Sequence, residues 1–386
     1  MTERQRDNHG KPRDLMAVTM AGGVPDRIPY SLSVPPEFCG WARERTGQEP
    51  AERWHLDNGD RSVGPRDLGL PPWDSPWETD QPATDPQVED LLWERFRRYL
   101  PDVDVPGRRV TEYGCMTVPG SMYHLRRHCF PMAQMESLAE VEDYPFPDVT
   151  EEWRWEGVEK EARRLLSDGY WVLGVVGSIF ETAWFCRGQE RLLLDFYENP
   201  EFAAFLLDKI TEEREYQARR LAAMGVDSLA CGDDMGIQGG LVMSLPMLRT
   251  WILSRWERVI AAAKQVKPDL CVDFHTDGRM EEAIPDLMAI GVTAVNPVQP
   301  ECDDPEHLKR TFGRKLILKG TMSANGLTFG PSERIRAEVK TRMEMGKRWG
   351  GLVLHNNNAP DPNTPWENFL AFLEAAQEYG RLEPAT

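Results

Sequence analysis

The sequence predicts a (β/α)8 barrel, and three observations carry that prediction. Short apolar runs alternate with helical patterns through the second half of the chain, as in a parallel sheet covered by helices. Four of the runs break off into polar residues. Asp227–Cys231 leads into Gly232-Asp233-Asp234, and Leu270–Phe274 into His275-Thr276-Asp277-Gly278. Thr293–Val295 leads into Asn296-Pro297-Val298-Gln299-Pro300, and Leu352–Leu354 into His355-Asn356-Asn357-Asn358. Finally, 386 residues allow one large domain or two ordinary ones, and a barrel is one large domain. The carboxyl ends of barrel strands share one face, where barrel active sites lie. The polar tips therefore converge, and that convergence points to an enzyme.

The elements follow in order. Asp14–Ala21 reads as a helix ended by Gly22-Gly23, and Tyr30–Ser33 as a short first strand. From Gly47 to about Gln87 the chain is rich in Pro, Trp, Asp and Gly without a period. Residues 47–105 are expected to form an irregular excursion over the barrel, either a lid or a structural wrap. Arg108–Thr117 alternates as a strand does, while Leu138–Tyr144 and Glu151–Leu166 have helical spacing. Tyr170–Val176 is a buried strand ending at Gly177-Ser178. Glu190–Tyr197 and Pro200–Met224 form a helical tract interrupted near Pro200. Leu245–Lys264 is a helix with Ser244 placed to cap it. The helices Met280–Ile290, Pro305–Thr311, Pro331–Arg348 and Pro365–Tyr379 then alternate with strands at Leu270–Phe274, Thr293–Val295, Lys315–Lys319 and Leu352–Leu354. The second half supplies about five βα units, so the count of eight is an extrapolation from the fold class. Residues 1–386 are read as a single domain, without internal repeat.

Composition narrows the function. A formal net charge of −18 argues against a nucleic-acid partner and against adhesion to anionic membrane. The first residues, Met1-Thr2-Glu3-Arg4-Gln5-Arg6-Asp7, have no signal-peptide core, and no apolar run reaches membrane-spanning length. Seven cysteines without a CxxC read as reduced thiols in a cytoplasmic protein. No GxGxxG, GxxxxGK[ST] or GxSxG is present.

The candidate residues are the polar tips. His275 suits acid–base work or metal ligation; the alternative is a strand-end histidine bonded to a carbonyl. Asp277 either orients His275, binds metal or caps the helix near Met280. Asp233 and Asp234 are adjacent, so one faces the pocket and the other is expected to bond loop amides. His355 is a further catalytic candidate. Glu181, Gln238, Asn296, Gln299 and Lys319 are candidates for substrate binding, each with a structural alternative: a helix-turn carboxylate, a loop brace, rigid-turn amides and a strand-end cation. Arg126, Arg127, His124 and His128 form a basic cluster that reads as an anion site or a solvated loop. The pairs Trp73/Trp77 and Trp153/Trp155 read as packing.

Taken together, several segments resemble the uroporphyrinogen decarboxylase superfamily. They are Asp26-Arg27-Ile28-Pro29, Phe180-Glu181 with Arg187-Gly188-Gln189-Glu190, Gly232-Asp233-Asp234-Met235-Gly236-Ile237-Gln238, His275-Thr276-Asp277-Gly278, Asn296-Pro297-Val298-Gln299-Pro300 and Thr364-Pro365-Trp366-Glu367-Asn368. Their order and spacing carry the resemblance. It implies a single barrel and two chemistries, porphyrinogen decarboxylation and cobalamin-dependent methyl transfer. This sequence departs from both branches. Where the decarboxylases have an arginine motif, Ser33-Val34-Pro35-Pro36-Glu37-Phe38 stands; where the methyltransferases place zinc-binding cysteines, Asp277 and His355-Asn356-Asn357-Asn358 stand. The resemblance thus implies, first, methyl transfer from or to a small substrate, with the corrinoid carried by a partner protein and a divalent metal such as zinc in a harder His/Asp/Asn site. Decarboxylation of a porphyrinogen-like substrate is the alternative, and a non-catalytic ligand-binding barrel the third. A homodimer is a further expectation.

Overall fold

The computed structural model describes residues 11–32, 36–48, 60–68, 86–102, 107–119, 126–357 and 363–382. The strands, in chain order, are β1 (Asp60–Val63), β2 (Arg109–Val110), β3 (Met116–Pro119), β4 (Arg126–Cys129), β5 (Trp171–Val175) and β6 (Ser228–Gly232). They continue with β7 (Gly236–Ile237), β8 (Gly240–Leu241), β9 (Cys271–His275), β10 (Ala294–Val298), β11 (Ile317–Met322) and β12 (Leu352–Asn356). One sheet runs β1-β5-β6-β9-β10-β11-β12, every neighbouring pair parallel. The eighth stave is short: Tyr30 bridges Leu354 in parallel, with the Ser31 and Leu354 amides donating to the Leu354 and Pro29 carbonyls. The architecture is an α/β barrel of the TIM type.

The excursion expected over 47–105 is corrected in part. Asp60–Val63 is a barrel strand, paired in register with Trp171–Gly174, and Pro86–Phe96 is a helix. The strand's sequence, Asp-Arg-Ser-Val, has little apolar content, so its pattern gives no strand signal. The rest of the proposed lid, with Trp73 and Trp77, lies outside the described residues. Arg108–Thr117 is not one strand either. The turn at Gly114, with φ 77°, folds it into β2 and β3 of an antiparallel three-stranded sheet completed by β4.

Inward and outward faces alternate along each stave. Phe274 points out and meets the wholly buried Trp256 edge-on, ring centroids 5.4 Å apart, which packs the helix Ser254–Val266 on the sheet. The inward side begins with an apolar floor: Trp171, Ala294, Ile317 and Val353 close on Met16 and Met20. Those methionines lie four apart on the helix Pro12–Met20, whose one buried stripe stoppers the barrel. Arg13 of that helix pairs with Asp227 at 2.7 Å, and the Asp227 carboxylate also accepts the Val172 amide.

Among the helices, Met280–Ile290 is shortened to Ile284–Ala289 because Pro285 is accommodated only in a first turn. Asp277 therefore does not cap it. Ser244 does occupy a cap position before Leu245, but its hydroxyl makes no capping bond. The helix after it passes through a π-helical turn at Arg249–Leu253. Among the described residues no helix is long and apolar enough to cross a membrane.

Candidate active site

The β6 and β9 tips are stitched together by backbone. Gly232 lies against His275, and a Cβ there would stand 2.0 Å from the His275 carbonyl oxygen, so only glycine fits. The Asp233 amide donates to that same oxygen at 3.1 Å. Beyond it, Gly236 and Gly278 touch backbone to backbone, and the Arg279 amide donates to Ile237. The Thr276 hydroxyl accepts the Met235 amide, while the Thr276 amide reaches the Asn296 carbonyl on β10.

This stitching sorts the adjacent aspartates. Asp233 is fully buried and points away from the mouth. Its Oδ1 accepts the Ile179 and Glu181 amides, each at 3.0 Å, and its Oδ2 the Trp256 indole N–H at 2.6 Å. Burial pushes its carboxyl up to about 6 and those donors hold it down, so it is ionised at neutral pH. It anchors the start of the helix Phe180–Arg187 and offers the mouth no atom. Asp234 faces the mouth: its Oδ1 accepts the Asp277 amide at 2.9 Å and lies 3.7 Å from His275 Nε2.

Asp234, His275 and Asp277 thus form a cluster whose nearest ligand atoms all lie within 4.8 Å of one another. Gln299 braces it, donating through Nε2 to Asp277 Oδ1 and accepting the Gly278 amide, both at 2.9 Å. Gln299 therefore positions Asp277, where sequence reasoning left a substrate contact open. Burial raises the Asp277 carboxyl, the neighbouring Asp234 adds to the rise, and His275 opposes it.

Glu181 completes the wall. Burial, then the charges of Asp234 and Asp233, push its carboxyl up to about 8, against a hydrogen bond from the Asp234 amide. With no cation beside it, that rise favours the protonated carboxyl at neutral pH. The carboxylates of Asp234 and Asp277 with the imidazole of His275 make a donor set that fits a divalent cation, and Glu181 flanks it.

The other candidates fall elsewhere. Lys319 is buried in the interior, 2.5 Å from Asp273 Oδ2, an ion pair one layer below His275. Asn296 stands in register with His275. His355 lies at the β12 tip, its Nδ1 2.6 Å from the Asn356 carbonyl oxygen, outside the three-residue cluster. Gln238 is exposed at the tip of the β7–β8 hairpin. Arg127 and His128 are exposed on β4, and His124 lies outside the described residues. Trp155 is buried packing, and the Trp153 ring lies under Arg154, as expected. Sequence reasoning missed Asp273. Its place two residues before His275, inside an apolar strand, was the available signal.

Fold and site together define an α/β-barrel protein with a carboxylate–imidazole cluster in its mouth. The profile of the family described as Uroporphyrinogen decarboxylase (URO-D) matches residues 125–379. The chain belongs to that family. A solved methyltransferase from Methanosarcina mazei is similar at 16% identity and a TM-score of 0.62, over 96% of this chain and 99% of that one. At that identity the likeness shows the fold. The catalytic core of xylanase A overlays less well, at 10% identity and a TM-score of 0.36 over 57% of this chain and 83% of that one. No curated protein matches the sequence.

Proposed function

We propose that the chain is a metal-assisted methyltransferase working with a corrinoid carried by a partner protein. The carrying observation is the convergence of Asp234, His275 and Asp277 within 4.8 Å at the barrel mouth. These three would hold a divalent cation such as zinc, replacing softer thiolates by a harder set. When bound, the cation would supply Lewis acidity and the corrinoid a carrier for the methyl group. The chain's own residues do the rest. Gln299 fixes the Asp277 carboxylate, and Asp233 fixes the segment that presents Glu181. Glu181 stands beside Asp234, burial favours its protonated form, and in that form it would deliver the proton from its carboxyl to a departing heteroatom. The methyltransferase fold of the Methanosarcina protein supports this reading as an analogy of architecture.

The test is direct. Protein purified without chelator is analysed for metal and titrated with methylcobalamin while its visible spectrum is followed, with candidate methylated substrates added. One divalent ion per chain and substrate-dependent spectral change support the proposal; a metal-free protein with an unaltered spectrum refutes it. Decarboxylation remains as a second reading, because a protonated Glu181 could also quench the carbanion left by departing CO2. Appearance of partly decarboxylated product from uroporphyrinogen selects it.

A further inference from the structure

Beside the cluster, the interior wall formed by β9 to β12 carries buried polar atoms that have no hydrogen-bond partner within the protein. They are Asp273 Oδ1, Asn296 Oδ1, Thr321 Oγ1, and both amide atoms of Asn357. Among the described residues one other atom shares this condition, Asp303 Oδ1, which stands 3.9 Å from Arg279 Nε. Five orphaned atoms on one wall is unusual, because folded proteins satisfy nearly all buried polar groups.

Their placement is coherent. Asn296 is in register with His275, and Asp273 is two residues before it, so both share its inward face. Thr321 is in register with His355 on β12. The Asn357 carboxamide lies over Gly320: a Cβ at Gly320 would stand 3.0 Å from Asn357 Oδ1 and 3.0 Å from Pro297 Cβ. The tips of β10, β11 and β12 therefore meet around Gly320, next to the cluster. Thr321 has φ 78°, the one left-handed non-glycine among the described residues, a conformation a β-branched residue adopts at a cost and one that tends to mark functional sites.

We infer that this wall is a recognition subsite for the non-reacting end of the substrate. It selects a neutral group that both donates and accepts hydrogen bonds, such as a carboxamide or hydroxyl. The available functions are two carboxamides, a hydroxyl and the second oxygen of the Asp273 carboxylate, whose charge Lys319 already balances. The wall's cation, Lys319, is matched by Asp273 at 2.5 Å, so the interior offers a carboxylate no net positive charge. A substrate ammonium would leave water for amides and a carboxylate already paired. The inference rests on the mouth being the active site, as proposed above.

The test uses small probes on the whole chain, namely acetamide, ethylene glycol, acetate and ethylammonium, followed by saturation-transfer NMR. Acetamide or ethylene glycol should bind, and acetate and ethylammonium should bind at least tenfold more weakly. The near-isosteric variants Thr321→Val and Asn357→Leu should each weaken the neutral probe at least fivefold. They should leave the melting temperature unchanged or a few degrees higher, since they remove polar atoms that have no partner in the chain. Equal or tighter binding of acetate to chelator-treated protein, no binding of either neutral probe, or neutral binding untouched by both variants overturns the inference. A fall of several degrees in both variants also overturns it, because the atoms would then be structural. Metal content is measured on the same samples. Variants that lose acetamide but keep wild-type metal separate this subsite from the cluster, and His275→Ala that loses metal but keeps acetamide does the converse.

Discussion

Replacing Glu181 by Gln should make the protein's stability less sensitive to alkali. Glu181 has its carboxyl raised from 4.5 to about 8. A group whose acidity is weakened on folding favours the native state while it is protonated in both states. That advantage is lost as pH rises from the unfolded value of 4.5 through the folded value of about 8. The gap between 4.5 and about 8, at about 1.4 kcal/mol per pH unit, sets a ceiling near 5 kcal/mol. Glu181 is partly open to solvent, so screening reduces this to about 2 kcal/mol. Gln keeps the shape and can still accept the Asp234 amide, but it does not titrate. Urea midpoints of chelator-treated protein are compared at pH 5 and pH 8.5. The variant should gain about 2 kcal/mol on the wild type between those values. Parallel pH profiles for the two proteins would show that Glu181 titrates normally, and its role as a retained proton would fall with them.

Four other outcomes follow from the geometry. His275 is half exposed, so His275→Ala should keep the fold, by circular dichroism, while losing the divalent ion proposed for the cluster, by elemental analysis. Gln299→Ala frees Asp277 and should weaken zinc binding about tenfold in competition with a chromophoric chelator. Asp233→Ala strands three buried donors and should cost about 3 kcal/mol or more, read from the denaturation midpoint. Lys319→Met leaves Asp273 buried without its partner and should cost about 3–5 kcal/mol, much of it recovered when Asp273→Leu is added.

Much of the barrel was legible because strands buried on both faces write continuous apolar runs. Leu270–Phe274 and Leu352–Leu354 are of this kind, and both lie in parallel strands. β1 was not legible, since Asp60-Arg61-Ser62-Val63 has the composition of a loop and holds its place through pairing with β5. Adjacency alone separated the roles of Asp233 and Asp234, because neighbouring residues take opposite sides. It could not say which faced the mouth; that depends on Trp256, whose indole claims Asp233 from a helix far along the chain. Gln299 carried no local sign of bracing Asp277, since the bond depends on how two loops meet. The orphaned wall was hidden for a related reason. Alternation along one strand could have put Asp273 beside His275, but only the register of β11 on β12 sets Thr321 opposite His355.

The helix carrying Met16 and Met20 turns the barrel into a cul-de-sac. With its far end shut, a reactant reaches the half-exposed His275 by the doorway at the strand tips. If a carrier protein seats itself across that doorway, the small reactant has to be aboard beforehand and can escape only after the carrier lifts away. Turnover would then be ordered, small molecule first in and last out.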